Sequence, residues 1–95
     1  MNLDTYHARI TRKLTEAFAP VVLKVQDDSA HHIGHAGHNP LGETHFNVLI
    51  VSAAFTTLRP VARHREVYRI LADELKERVH ALSLQTFAPD EYPHR

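Results

Sequence analysis

One stretch of eighteen residues, from Asp28 to His45, limits what this chain can form, because neither a regular helix nor a regular strand can run along its length. It contains all three glycines and five of the nine histidines of the 95-residue chain. The residues on either side have the periodicity of ordinary secondary structure. The sequence therefore predicts a small folded frame that displays a histidine-rich loop.

Ahead of this loop, the pattern predicts a helix and then a strand. Apolar residues recur at three- and four-residue steps from Leu3 to Phe18, which is the period of one helical face. Asp4 or Thr5 can cap the start of the helix. Pro20 ends it, because proline disfavours helical geometry at the preceding residue. Residues 21–27 then alternate between apolar and more polar side chains, as a strand does.

After the loop, the strongest strand signal of the chain runs from Thr44 to Ser52. Its nearly continuous apolar character is typical of a central strand. Residues 53–59 form a connector, in which Phe55 is the expected anchor. Pro60 suits the first turn of a second helix, where its missing N–H costs nothing. We expect that helix to end between Lys76 and Val79.

The second helix has an apolar stripe of six residues, namely Val61, His64, Val67, Tyr68, Leu71 and Leu75. The charged residues between them are expected to face solvent. They are Arg63, Arg65, Arg69, Asp73, Glu74 and Lys76. The helix should therefore pack on the sheet through one face only.

The third predicted strand runs from Ala81 to Phe87, and the polar residues 89–95 that follow are expected to be frayed. Strands one and two should form an antiparallel hairpin, and a right-handed crossover should make strands two and three parallel. The prediction is one α+β domain over residues 1–95, with its core in residues 3–88. It has two layers, a three-stranded mixed sheet with both helices on one face.

The composition excludes several classes of function. The chain has no cysteine, which excludes thiol catalysis and a metal site made of its own thiolates. Its 11 basic residues balance 11 acidic ones, whereas dedicated nucleic-acid binders usually have a basic excess. No apolar run is long enough to cross a bilayer, and no secretory signal is visible, so the expected location is the cytosol. No paired acid and base stands out, so we do not expect an enzyme.

Three spaced segments resemble the BolA family: GETHFNVLIVS at residues 42–52, VARHREVY at 61–68 and VHALSL at 79–84. Asp27-Asp28-Ser29 and Gly34-His35-Ala36-Gly37 also fit the family pattern. The resemblance runs from about Leu14 to Pro89. It implies a fold similar to the type II KH domain, with the element order αββαβ.

The resemblance also implies a partner and a cofactor. BolA-like proteins pair with monothiol glutaredoxins and can share a [2Fe–2S] cluster, in iron–sulfur cluster handling or in iron and redox regulation. In that shared site the glutaredoxin gives one cysteine, glutathione gives another, and the BolA-like protein gives histidines. One ligand is the histidine of the Val-His-Ala-Leu motif, here His80, and the other comes from the loop. Some bacterial members are stress-linked transcription regulators that bind DNA, which is the alternative function.

The chemistry of histidine agrees with that ligand set. A neutral imidazole is a good ligand for iron, and two histidines on one iron with thiolates elsewhere is the arrangement of Rieske centres. Because cysteine is absent, we expect no cluster held by this chain alone. We also expect the chain alone to be a monomer or a weak homodimer. A mononuclear metal site made of the loop histidines is a further possibility.

The individual histidines have competing interpretations. His80 is in phase with Leu82 and Leu84, so it could instead be a buried core histidine. In the loop, His35 is the first candidate ligand, because its flanking glycines let the backbone bend. His32 is the alternate ligand, and a solvated loop enriched in histidine by chance also fits. His45, at the start of the central strand, could orient a ligand or be structural, and we interpret His64 as structural.

Four arginines surround the start of the second helix and form a candidate site for nucleic acid or another anion: Arg59, Arg63, Arg65 and Arg69. Arginines and a helix amino terminus both attract phosphate. Glutathione carboxylates, an acidic partner surface and a plain solvated helix face are the alternatives. Gly34-x-x-Gly37 matches the GxxG of KH domains, but it falls between strands and not between helices. We therefore regard that match as coincidence.

Overall fold

The first helix, α1, spans Tyr6–Phe18 in a computed structural model that describes residues 5–28 and 42–93. The Thr5 hydroxyl accepts a hydrogen bond from the Ala8 N–H at 3.0 Å, so Thr5 is the amino-terminal cap. This cap places the start of α1 three residues after the predicted Leu3. The helix ends at Ala19, which has a left-handed backbone (φ 44°) and donates its N–H to the Thr15 carbonyl.

Three strands form one sheet in the order β1-β2-β3. Their bounds are Val22–Asp27 for β1, His45–Val51 for β2 and Ala81–Phe87 for β3. β1 pairs with β2 antiparallel, and β2 pairs with β3 parallel. The predicted hairpin, the central place of the second strand and the mixed sheet are confirmed.

The helical segment between β2 and β3 differs from the prediction. It begins with a 3₁₀ turn, Ala53–Phe55, and α2 then spans Pro60–Ile70. Instead of continuing to about Lys76, the helix breaks at the buried Leu71, and α3 spans Ala72–Glu77. The periodicity does not show this break, because Leu71 continues the apolar stripe across it.

The helices cover one face of the sheet. The core between the two layers consists of Ile10, Leu14 and Phe18 of α1, Phe46, Val48 and Ile50 of β2, and Phe55, Val67, Leu71 and Val79. Phe55 is fully buried, as expected of the connector anchor. The alternate residues of the strands form the opposite, open face, where Lys24, Gln26, Asn47, Ser83 and Gln85 are exposed. The α+β prediction of two layers is confirmed.

The segment after β3 is ordered where a frayed end was expected. Pro89–Glu91 form a 3₁₀ turn, and the Ala88 N–H donates to the Glu91 carboxylate at 2.8 Å. The Phe87 and Tyr92 rings lie 5.5 Å apart. The prediction of fraying is wrong for residues 89–93, because Glu91 and Tyr92 both contact the folded domain.

None of the helices in residues 5–28 and 42–93 has the length and apolarity needed to span a bilayer.

Candidate functional site

The histidine-rich connection begins and ends at one end of the sheet. The Asp28 N–H donates to the His45 carbonyl at 2.7 Å, and His45 is the register partner of Ala81 in β3. Both ends of the connection therefore lie at the end of the sheet where β3 begins, with β2 between Asp28 and β3. We call this region, formed by Asp28, residues 42–45 and residues 78–81, the histidine end of the sheet. The predicted loop ligands His35 and His32 lie outside the described residues.

His80 immediately precedes β3 at this end, and its side chain is exposed. Its N–H donates to the Thr44 carbonyl at 2.8 Å, and the Ala81 N–H donates to the same carbonyl at 3.1 Å. The interpretation of His80 as a buried core histidine is therefore wrong. The neighbouring Val79 is buried instead, so that residue fills the core while the imidazole of His80 stays accessible.

His45 is half-buried at the start of β2. Its Nδ1 lies 2.8 Å from the Thr44 hydroxyl oxygen. Strand alternation places His45 and Ala81 on the open face, whereas His80 precedes β3 and is exposed. The fold thus brings two histidines, far apart in sequence, to the same end of the sheet. That His45 orients a ligand stays a prediction.

Arg78 is a residue of this region that sequence reasoning missed. Its Nε and one terminal nitrogen both donate to the Gly42 carbonyl, at 2.9 and 2.7 Å. Gly42 has φ 73°, a left-handed conformation that glycine adopts without strain. No sequence pattern pointed to this contact, because its partner is a backbone carbonyl.

Glu43, the residue after Gly42, is held by contacts with β1 and α1. It has φ 62°, which is costly for a residue with a Cβ. Its N–H donates to the Asp27 carboxylate at 3.0 Å, and its own carboxylate accepts the His7 N–H at 3.0 Å. These bonds offset the backbone strain and fix the entry into β2.

A buried carboxylate in α3 holds the segment that leads to His80. Glu74 was expected on the solvated face, but its side chain is completely buried. It accepts hydrogen bonds from Arg9 at 3.1 Å and from Lys13 at 3.0 Å, both in α1. Burial acts to raise the pKa of Glu74, yet the contacts with Lys13 and Arg9 lower that pKa below its ordinary value.

The predicted anion site around α2 is only partly exposed. Arg63 is 4% exposed, which contradicts its expected place on the solvated face. It donates to the Leu58 and Thr86 carbonyls at 2.9 and 3.2 Å, and to both oxygens of Glu91. The hydrogen bond with Glu91 raises the pKa of Arg63. Its guanidinium joins the connector, β3 and the last turn, so it is not presented to phosphate.

The other three arginines of that site are exposed. Arg69 pairs with Glu66 at 2.8 Å, and Arg65 lines a shallow groove beside Ala17 and Leu58. A KH domain binds nucleic acid through a GxxG loop between two helices. In this chain α2 and α3 are joined by Leu71 alone, so no GxxG loop lies between these two helices. His64 is half-buried on α2.

Two further observations concern chemistry within this chain. In the described part of the chain, no group of three or more histidine, cysteine, aspartate or glutamate residues could hold a metal ion. A groove of about 240 Å³ on the open face is lined by Lys24, Gln26, Asn47, Val48, Leu49, Ser83 and Gln85. That lining has no carboxylate, histidine or thiol, and so no acid–base pair for catalysis.

Comparisons with known proteins agree on one family. The family model described as BolA-like protein matches residues 14–91. "Protein BOLA1, chloroplastic" of Arabidopsis thaliana is 43% identical over 95 residues; the match covers 98% of this chain but only 59% of that protein. "DNA-binding transcriptional regulator BolA" of Escherichia coli is 46% identical, with 88% of this chain and 76% of that protein covered. The solved structure of BolA1 from Arabidopsis thaliana superposes with a TM-score of 0.85 at 38% identity, covering 96% of this chain and 100% of that one.

Proposed function

The chain belongs to the BolA family, and from this premise we propose that it is an adaptor that acts with a monothiol glutaredoxin. The adaptor shares a histidine-ligated [2Fe–2S] cluster with the glutaredoxin and glutathione, in iron–sulfur cluster handling or in iron and redox regulation. His80 supplies one ligand, and a loop histidine, His35 or His32, supplies the other.

The observation that supports this proposal most is the position of His80. Its imidazole is exposed at the same sheet end where the histidine-rich connection leaves and re-enters the sheet. An exposed imidazole next to a fixed backbone is accessible to a metal held on a partner's surface. The donor chemistry also fits, because imidazole and thiolate together form a known ligand set for a two-iron cluster.

The same chemistry explains why a partner is needed. The chain has no cysteine, and the described residues contain no group of three potential metal ligands. A [2Fe–2S] cluster needs four ligands. In the proposed complex this chain therefore provides the imidazoles, while the thiolates come from the glutaredoxin and from glutathione.

Histidine ligation is tested by mixing the protein with a cluster-loaded glutaredoxin and glutathione and recording visible absorption and circular dichroism. We expect His80→Ala to change the spectrum, and His80→Ala combined with His35→Ala and His32→Ala to give that of the glutaredoxin alone. His64→Gln is the matched control, because His64 lies on α2 away from the histidine end of the sheet. A wild-type spectrum from the triple variant would show that histidine ligation is wrong.

Single variants assign the loop ligand. In a chain that keeps His80, His35→Ala and His32→Ala are compared separately with wild type. Replacement of the true ligand should change the visible circular dichroism, because a different donor then completes the iron coordination. The other replacement should leave it unchanged.

The second candidate function is regulation of transcription through DNA binding. It is supported by the name of the Escherichia coli relative and by the exposed Arg59 and Arg65. The balanced charge, the burial of Arg63 and the direct α2–α3 junction favour the first proposal. DNA binding predicts affinity that falls with salt and weakens in an Arg59→Ala, Arg65→Ala double variant. Absence of binding at low salt would rule it out.

The cytosolic location and the monomeric or weakly dimeric state stay predictions. The Arabidopsis relative is named as chloroplastic and is longer than this chain, so its location belongs to that protein. Analytical ultracentrifugation of the chain, alone and with a glutaredoxin, measures the oligomeric state directly.

A further inference from the structure

We propose that Arg78 is a positioning residue of the histidine end of the sheet. Its guanidinium ties Gly42 to the segment that carries His80, so that His80 keeps a fixed place beside the start of β2. This inference rests on the proposed function, since it assigns a role within the same site.

The guanidinium contact is directed at one backbone atom. Arg78 is half-buried, and its Nε and a terminal nitrogen converge on the Gly42 carbonyl at 2.9 and 2.7 Å. Both distances are in the range of good hydrogen bonds. A charged donor makes stronger hydrogen bonds than a neutral one. Gly42 is therefore tied to the residue that lies two positions before His80.

The segment that provides Arg78 is itself fixed. The Arg78 N–H and the Val79 N–H both donate to the Glu74 carbonyl, at 3.0 and 2.9 Å. The Glu74 side chain is in turn bound by Arg9 and Lys13 of α1. Val79 is buried in the core. Arg78 thus extends from a rigid part of the fold toward the connection.

Two successive links then hold the connection beside the entry to β3. Arg78 binds the Gly42 carbonyl, and two residues further along both segments His80 donates to the Thr44 carbonyl. Without the Arg78–Gly42 contact, the His80–Thr44 hydrogen bond would be the last contact between the two segments and would open more often. A preorganised site keeps its ligands in place before the metal arrives, and the Arg78 contact keeps His80 in place in this way.

The planar guanidinium is essential to this role. It presents two N–H donors in a fixed fork, whereas a lysine ammonium is a single flexible point charge. Arg78→Lys should therefore behave like Arg78→Ala, although it keeps the charge. Lys76→Ala is the matched control, since it removes a positive charge from the exposed surface of α3 without touching Gly42.

Two measurements test the inference. In the protein alone, amide hydrogen exchange at His80 and Ala81 should be roughly tenfold faster in both Arg78 variants, while exchange at the core residue Val48 stays unchanged. In the mixture with cluster-loaded glutaredoxin and glutathione, both variants should alter the visible circular dichroism. Lys76→Ala should match wild type in each measurement.

The outcomes separate the two proposals. Unchanged exchange in Arg78→Ala and Arg78→Lys would overturn the positioning role, whatever the spectra show. Faster exchange with a wild-type cluster spectrum would overturn it as well, because His80 would then be placed without the contact. If the spectrum of wild type does not depend on its histidines, the proposed function fails and the role of Arg78 in the site fails with it. Faster exchange together with an altered spectrum supports both.

Discussion

Replacing Glu74 with glutamine is expected to destabilise the fold strongly, although the two side chains have nearly the same shape. The Glu74 side chain is fully buried, while those of its partners Arg9 and Lys13 are 25% and 29% exposed. Each cation lies 2.9 Å from the carboxylate. Glutamine removes the negative charge that both cations share, and it leaves an amide group where two cationic donors converge.

The size of the effect follows from this burial. Removing one partner of a fully buried ion pair costs about 3–5 kcal/mol, because the other charge stays desolvated. Arg9 and Lys13 are partly exposed, so water can solvate them again and the cost is smaller. We therefore expect the free energy of unfolding to fall by about 2 kcal/mol. For a domain of this length, that corresponds to a loss of about 10 °C in Tm.

The assay is urea unfolding at neutral pH, followed by circular dichroism. Glu77→Gln is the matched control, because Glu77 also binds Arg9, at 2.9 Å, but has a side chain that is 45% exposed. Its effect should be much smaller. If Glu74→Gln changed the unfolding midpoint no more than Glu77→Gln does, the buried ion pair would not be what fixes α3 on α1.

Two further predictions follow from ionised contacts. The contacts with Lys13 and Arg9 lower the pKa of Glu74 in the folded state. Their stabilisation is therefore complete above the unfolded value of about 4.3 and is lost as pH falls through the folded pKa. Urea unfolding between pH 7 and pH 3 should show this loss in wild type and a flatter profile in Glu74→Gln; parallel profiles would contradict it. Glu91→Gln should cost about 1 kcal/mol and speed hydrogen exchange at the Ala88 amide, because Arg63 and the Ala88 N–H both lose their carboxylate partner; an equal effect of Asp90→Asn would contradict that reason.

The position of His80 could be predicted in part. The Val-His-Ala-Leu segment made His80 a candidate ligand, but the strand phase allowed either a buried or an exposed side chain. Burial of Val79 excludes the core position for His80. Arg78 could not be found from sequence, because its partner is the carbonyl of Gly42, and every residue has a carbonyl.

The burial of charged residues in α2 and α3 could not be predicted from sequence either. Arg63 and Arg65 look alike in sequence, since both flank His64. Only the folded chain brings Glu91 and the Thr86 carbonyl to Arg63, which makes its burial possible. Glu74 is buried for an equivalent reason, because only the folded chain brings Arg9 and Lys13 of α1 to its carboxylate.

The sequence by itself determined the first helix, the three strands, the order of the elements and the mixed sheet. These depend on local periods of two and 3.6 residues and on proline positions, which adjacent residues encode. The tertiary structure decided which charges are buried, where the second helix breaks and what holds the two ends of the histidine-rich connection at the sheet end where His80 lies. Those outcomes depend on partners far away in sequence, and only packing brings such partners into contact.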